Sequence, residues 1–349
     1  MPTDDTLAYT SILSGTLSSL PLPAGSGLES PDRRDGLVYR CPPVLHLALD
    51  VALATGRPLL VRGEPGTGKS SFAAFVARNL GWRYYEYAVT SGTEARDLLW
   101  RFDAVRRLAD AQARAALGPG ALNDPDYIEP GPLWWAFDQA DAARRGQAEG
   151  VLVKPLVEPF ARLNAERDRQ RAVVLIDEID KADPDVPNAL LVPLGSLRFH
   201  VSDLGKDVER VMPSSSDPNA APAPRRVESG SNGLLMVITT NEERELPAAF
   251  VRRCITVRLD PPGPDELVEI AGLHFRRPDK PFDAGPDGIA RRLTGRLQEA
   301  RDEARAAGLR VPGTAEYLDA LRACLSLGIT PESSDPLWAH LKKISLVKK

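Results

Sequence analysis

One glycine-rich segment carries a single lysine between an apolar run and a stretch of helical character. It reads Gly63-Glu64-Pro65-Gly66-Thr67-Gly68-Lys69-Ser70 and follows the apolar residues PLLV. Glycines let backbone N–H groups curl around an anion, and the start of the next helix adds the positive end of its dipole. We therefore expect Lys69 to reach the β and γ phosphates of ATP and the Ser70 hydroxyl to ligate Mg²⁺. Ser71 completes the predicted nucleotide-binding set.

Two acids end a second apolar run. In VVLIDEID, Asp177 and Glu178 come directly after four apolar residues. Carboxylates at the carboxyl end of a buried strand lie at the edge where open parallel sheets bind ligands. Asp177 is predicted to hold Mg²⁺, directly or through a water, and Glu178 to orient and deprotonate the attacking water. Together with the glycine-rich segment, these acids predict ATP hydrolysis.

An amide and two arginines follow a third apolar run. LLMVITT is followed by Asn241, whose side chain suits a hydrogen bond to the attacking water or the γ-phosphate without competing for the metal. Arg252 and Arg253 lie in LPAAFVRRC, on a predicted short helix. A guanidinium that reaches the γ-phosphate stabilises charge during hydrolysis. Adjacent helical residues point in different directions, so we expect one arginine to face inward and the other outward.

These residues need a particular set of strands and helices to hold them. Apolar runs suited to buried strands lie at 58–61, 84–89, 172–177, 234–240 and 254–259. Helical patterns separate them at 70–80, 132–145, 156–170 and 186–194. The alternation predicts an α/β fold whose parallel sheet is sandwiched by helices. Trp134 and Trp135, in one predicted helix, are interpreted as buried packing residues.

The composition changes along the chain. Residues 1–35 are rich in Ser, Pro, Gly and Asp and predict a flexible N-terminal arm. Residues 36–262 predict the nucleotide-binding α/β domain, with insertions at about 103–130 and 201–233 that are expected to form surface protrusions or mobile loops. Only helical patterns follow, so residues 263–349 predict an all-helical C-terminal domain.

Composition and charge narrow the classes of function. The 349 residues are 43% hydrophobic, enough for a full core, and 44 Lys plus Arg stand against 48 Asp plus Glu. The net charge of −4 provides no general attraction to nucleic acid or anionic lipid. The three cysteines are far apart and lack metal-ligand spacing, which indicates reduced thiols. With neither a basic leader nor a long apolar run, the sequence predicts a cytoplasmic protein that is not embedded in a membrane.

These elements, in this order, resemble the AAA+ ATPases and, more narrowly, the MoxR family. The resemblance is carried by GEPGTGKS, LIDEIDKA, TTNEERELPAAFVRRC and the helical C-terminal region, and it spans about Leu45 to Leu327. It implies a P-loop NTPase fold with a sheet of strand order 5-1-4-3-2, followed by a helical lid. It also implies a ring, commonly a hexamer, with ATP between neighbouring subunits. Asn241 is then sensor 1, and Arg253, with Arg252 in reserve, reaches the neighbour's nucleotide.

The resemblance further implies a chaperone-like ATPase that remodels or matures a partner protein, often one with a von Willebrand factor A domain. One position departs from the family's pattern. The arginine of an SPR segment near the start of a lid helix, called sensor 2, is replaced by Ala315; whether Arg310, a few residues earlier, substitutes for it is left open. Two alternatives stay open: a motor or helicase on nucleic acid, and a slow nucleotide-dependent assembly switch.

Overall fold

The computed structural model describes residues 35–115, 122–151, 153–213, 232–275, 282, 288–332, 335 and 337–346. The predicted N-terminal arm, up to residue 34, lies outside the described residues. The described chain divides into two compact units. The first takes its residues from Pro43–Val61 and Val76–Val257, and the second from 35–42, Arg62–Phe75 and the chain from Arg258 onward. The domain boundaries expected from the sequence stay a prediction.

Strands and helices alternate along the first two thirds of the chain. In chain order the strands are β1 (Leu59–Arg62), β2 (Trp82–Ala88), β3 (Trp100–Phe102), β4 (Ile128–Pro130), β5 (Asp168–Asp177), β6 (Arg198–Val201), β7 (Lys206–Glu209), β8 (Leu234–Thr240) and β9 (Ile255–Arg258). The α-helices are α1 (Pro43–Thr55), α2 (Lys69–Leu80), α3 (Ala104–Ala115), α4 (Pro132–Phe137), α5 (Gln139–Ala143), α6 (Ala161–Asn164), α7 (Asp185–Ala189), α8 (Leu191–Ser196), α9 (Ala248–Val251), α10 (Pro264–Phe275), α11 (Ile289–Ala306), α12 (Thr314–Leu327) and α13 (Trp338–Leu341).

One five-stranded sheet has the order β2-β5-β8-β1-β9. Numbered among themselves along the chain, these strands give the order 5-1-4-3-2 that the resemblance implies. β2, β5 and β8 are parallel, with Tyr85 opposite Val174 and Val174 opposite Met236. Helices flank the sheet, so Leu60, Val174 and Val237 are completely buried. This two-sided burial explains why the strands are continuously apolar rather than alternating. The predicted fold class is confirmed.

The helix predicted at 156–170 is wrong. Only α6 is helical there, and β5 begins before that range ends. Pro159 lacks an N–H group and disfavours a helical conformation at the residue before it. Asn164 instead pairs with the backbone of β2: its Oδ1 accepts from Tyr84 N at 2.9 Å and its Nδ2 donates to Tyr84 O at 3.1 Å. Hydrogen bonds to the backbone of β2, and not those of a long helix, therefore hold this segment in place.

The helix predicted at 132–145 is divided into α4 and α5. Asp138 separates them and caps α5, because its side chain accepts from Asp141 N at 2.9 Å. On α4, Trp134 is completely buried and Trp135 nearly so, and Trp134 Nε1 donates to Asp141 Oδ2 at 3.0 Å. Their interpretation as packing residues is confirmed.

A short antiparallel ladder lies at each of the two insertions. β3 pairs with β4 on either side of α3, and β6 pairs with β7 as a hairpin. Arg210, just after β7, is buried and its Nη1 donates to Phe137 O at 3.1 Å. Burial lowers the pKa of this guanidinium to about 10. Residues 116–121 and 214–231, in the middle of the insertions, lie outside the described part of the chain.

The second unit has a helical core of its own. Helices α10, α11 and α12 bury a cluster that includes Leu267, Leu293, Leu297, Tyr317 and Leu321. Helix α12 ends at Leu327, and Gly328 caps it with a φ of 67°, the left-handed conformation typical of a helix C-terminus. Among the described residues, every element after the sheet is therefore helical, as the sequence predicts.

Candidate functional site

The glycine-rich segment leads directly from β1 into α2, which begins at Lys69. Gly63, Gly66 and Gly68 have φ angles of 143°, 79° and 90°, which residues with a side chain rarely adopt. At Gly63, an added Cβ would lie 2.3 Å from Leu259 O. The loop conformation therefore depends on glycine at these three positions.

Lys69 is folded onto this loop and is only 5% exposed. Its Nζ donates to Gly63 O and Glu64 O, both at 2.8 Å. Thr67 Oγ1 also donates to Glu64 O, at 2.9 Å. An ammonium group offers three donors and can exchange carbonyl acceptors for phosphate oxygens. Ser70 and Ser71 follow in the first turn of α2 and are half-buried. These residues fit a bound phosphate chain.

The start of α12 contacts the glycine-rich segment, which is the expected phosphate loop, within the second unit. Thr314 N donates to Gly66 O at 3.2 Å, and an added Cβ at Gly66 would lie 3.4 Å from Gly313 Cα. The side chain of Glu316 is buried and accepts from Gly313 N at 2.9 Å. Ala315, at the position where the MoxR resemblance implies a sensor 2 arginine, is thus next to Thr314, which contacts the loop.

Two arginines of the helical region surround that contact. Arg310 Nη2 lies 3.6 Å from Glu316 Oε1, and the Arg310 side chain is 64% exposed. Arg301, on α11, is buried and its Nε donates to Pro312 O at 3.1 Å. Its Nη2 is buried without a hydrogen-bond partner among the residues that the structure describes. Burial lowers the pKa of Arg301, an effect that the negative charge of Glu64 opposes.

Tyr39 is a further neighbour of the phosphate loop that the sequence analysis missed. An added Cβ at Gly68 would lie 3.3 Å from Tyr39 Cε2. The Tyr39 ring also packs against Phe72 and Phe75 of α2, with centroid distances of 5.8 and 5.3 Å. The chain before α1 therefore supports the start of α2, which no short motif in the sequence indicates.

Asp177, Glu178 and Asn241 come together in the first unit. Thr239 Oγ1 donates to Asp177 Oδ1 at 2.7 Å and accepts from Glu178 N at 2.8 Å. Asn241 Nδ2 donates to Glu178 Oε1 at 2.8 Å. The carboxyl ends of β5 and β8 thus join the predicted metal ligand, the predicted base and the predicted sensor amide in one hydrogen-bonded group.

Asp180 and Lys181, which follow β5, complete this group. Asp180 is 2% exposed and its carboxylate accepts from Asn241 N at 3.2 Å and from Glu243 N at 2.9 Å. Lys181 Nζ bonds to Glu178 Oε2, and this hydrogen bond raises the pKa of Lys181. The sequence signal for Asp180 is a third acid in the VVLIDEID run, but its partners become visible only when β8 is paired with β5.

Arg252 and Arg253 do not have the orientations that the sequence predicts. Helix α9 ends at Val251, so both arginines occupy the turn before β9 and both side chains are exposed. Arg253 Nη1 donates to Ala249 O at 3.2 Å. The expectation that one arginine faces inward is wrong, because it assumed that the helix continues through both residues.

Residues 58–254, more than half of the chain, match the family model described as "AAA domain (dynein-related subfamily)". This chain belongs to that AAA family. No curated protein matches the sequence significantly. In the parts of the AAA protein that the structure describes, no helix combines the length and apolar character needed to cross a membrane.

Two solved structures are similar to this AAA protein at low scores. A protein from Cytophaga hutchinsonii classed as an ATPase is 12% identical, with 84% of this chain and 76% of that chain covered and a TM-score of 0.40. A mutant of RuvB from Thermotoga maritima is 16% identical, with 84% of this chain and 71% of that chain covered and a TM-score of 0.35.

Gly63→Ala is expected to destabilise the AAA protein by about 1–3 kcal/mol, because the alanine combines a strained positive φ with a contact to Leu259 O. The midpoint of chemical unfolding measures this loss. Gly295→Ala is the matched control: Gly295 lies in α11 and an added Cβ meets nothing within 4 Å. That variant should be as stable as the wild type or more stable. Equal midpoints for the two variants would contradict the role assigned to Gly63.

Proposed function

We propose that this protein is a MoxR-like AAA+ ATPase that hydrolyses ATP with Mg²⁺ at the interfaces between subunits of a ring. The observation that carries the proposal is the hydrogen-bonded group of Asp177, Glu178 and Asn241. It combines a metal ligand, a base and a neutral hydrogen-bond donor at the ends of two neighbouring parallel strands. Gly63 is the residue after β1, and only β8 separates β1 from β5 in the sheet. Ligands of such sheets bind at the carboxyl ends of the strands.

Each residue has a stated task in this proposal. The backbone of residues 63–68 and the Lys69 ammonium bind the β and γ phosphates, with the lysine leaving its two carbonyl acceptors. Ser70 and Asp177 would hold Mg²⁺, which when bound neutralises charge on the phosphate oxygens. Glu178 accepts a proton from the attacking water, and Asn241 orients that water through its side-chain amide.

The proposed assembly is a ring, with six members as the expected number, whose substrate is a partner protein. A head-to-tail ring presents one face of each subunit to the nucleotide of the next. Arg253 is proposed as the finger that reaches this nucleotide, with Arg252 in reserve, since both side chains are exposed. A client with a von Willebrand factor A domain follows from the MoxR resemblance alone.

A slow assembly switch is the second candidate function. One observation favours it: both carboxylate oxygens of Glu178 accept hydrogen bonds, from Asn241 and from Lys181. A base that is held in this way acts slowly unless it is released. The presence of Ala315 at the expected position of the sensor 2 arginine also favours a slow switch. Turnover that is equal in the wild type and in Glu178→Gln would favour the switch.

Lys69→Met is expected to weaken ATP binding by roughly 100-fold, since it removes a charge-assisted contact to the phosphates. Methionine keeps the length of the buried side chain. Titration with a fluorescent ATP analogue and Mg²⁺ measures the affinity. Lys154→Met, which changes an exposed lysine, is the control and should bind like the wild type. Unchanged affinity in Lys69→Met would refute the proposed phosphate site.

A further inference from the structure

Glu178 is restrained at its backbone and at both ends of its carboxylate. Its backbone has φ 60° and ψ 51°, a left-handed conformation that is uncommon for a glutamate. The Glu178 N–H donates to Thr239 Oγ1 at 2.8 Å. Oε1 accepts from Asn241 Nδ2 at 2.8 Å, and Oε2 accepts from Lys181 Nζ. The proposed base is therefore held from opposite sides by an amide and an ammonium group.

The contact with Lys181 opposes the proposed chemistry. A general base must present a carboxylate oxygen to the proton that it removes from water. In this structure both oxygens already accept a hydrogen bond, Oε2 from the Lys181 ammonium and Oε1 from Asn241 Nδ2. The charge of Lys181 is itself secured, since the hydrogen bond to Glu178 raises its pKa and the nearby charges of Glu243 and Asp180 act in the same direction.

The position of Lys181 allows it to leave. It ends the short 3-10 turn Ile179–Lys181, and its side chain is 41% exposed. The charges of Glu243 and Asp180 also act on the ammonium, so Glu178 is not the sole acid that stabilises its charge among the residues that the structure describes. Asn241 is different, because its backbone is fixed by the buried Asp180.

We propose that Lys181 is a positioning residue that holds Glu178 in a resting orientation and must release it before each hydrolysis step. This inference rests on the proposed function, in which Glu178 is the base. In this role Lys181 slows turnover and does not bind ATP. The restraint is reversible because the ion pair is partly exposed and therefore weak.

The test compares the steady-state ATPase activity of the full chain with that of Lys181→Met and Lys181→Arg. Methionine keeps the length of the side chain but removes the charge, so kcat should rise roughly two- to fivefold, the range expected for an exposed ion pair. The KM for ATP should stay unchanged, because Lys181 is not assigned to binding. Arginine keeps the ion pair and should restore the wild-type kcat. A purely structural role for Lys181 would not raise kcat.

A kcat for Lys181→Met that equals or falls below the wild-type value would overturn the proposal. Lys181→Gln serves as a second uncharged variant, and thermal unfolding shows that each variant is folded. Glu178→Gln is assayed in parallel, so that a failure of the restraint is distinguished from a failure of the proposed base. If it is inactive while Lys181→Met is no faster than the wild type, only the restraint is refuted. If it hydrolyses ATP like the wild type, the proposed base and the restraint both fail.

Discussion

Glu178→Gln is expected to lower ATP turnover by about 1,000-fold while leaving ATP affinity close to that of the wild type. Glutamine has the shape of glutamate and its amide oxygen can still accept from Asn241, but it cannot take a proton from water. Loss of a general base typically costs 10²–10⁴-fold in rate. Phosphate release measures turnover, and titration with a fluorescent ATP analogue measures affinity on the same preparation.

Glu245→Gln provides the control for this variant. Glu245 is an exposed acid in the same unit, so removing its charge should leave turnover unchanged. If Glu178→Gln retained the wild-type rate, Glu178 would not be the base and the ATPase proposal would lose its main support. If it lost ATP binding as well, the effect would be structural rather than catalytic.

Arg253→Ala is expected to lower turnover by about 1,000-fold, because an arginine finger supplied by a neighbouring subunit is worth roughly 10³–10⁵ in kcat. ATP binding and assembly should persist, since Arg253 is exposed and its Nη1 donates to Ala249 O, a contact within its own subunit. Turnover and size-exclusion chromatography with ATP measure the two properties.

Arg252→Ala is the paired variant, because the two arginines are adjacent and both exposed. It should retain most of the activity. The reverse result, with Arg252→Ala inactive, would assign the finger to Arg252. Full activity in the double variant would contradict an arginine finger at this turn.

The sheet and the phosphate loop could be predicted because their signals are local. Continuous apolar runs identify strands buried on both faces, and β8 coincides with the predicted range 234–240. The glycine positions of the loop are fixed by backbone geometry at Gly63, Gly66 and Gly68. The strand order follows from the family resemblance rather than from any single stretch of sequence.

The partners of the acids could not be predicted, since they come from different strands. Thr239 and Asp177 are 62 residues apart in sequence, and Asn241 and Asp180 are 61 apart. Only the pairing of β5 with β8 brings them together. The left-handed backbone of Glu178 has no sequence signal either, although it decides where the carboxylate lies.

The surroundings of Arg301 and Arg310, in the helical region, could not be predicted from the sequence either. Proximity in sequence draws attention to Arg310, which lies five residues before Ala315. The structure adds Arg301, which is buried in the second unit and whose Nε donates to Pro312 O. The burial of a charged side chain depends on which helices pack together. The spacing of residues along α11 therefore does not predict that Arg301 is buried.

In the proposed ring, one subunit's acids and the next subunit's arginine form a single ATPase site. A mixture of inactive Glu178→Gln with inactive Arg253→Ala can therefore regain activity. In a randomly mixed head-to-tail ring at equal amounts, about one interface in four joins an intact Glu178 to an intact Arg253. We expect the mixture to recover about a quarter of the wild-type turnover. Activity no higher than the sum of the two separate variants would refute a site shared between subunits.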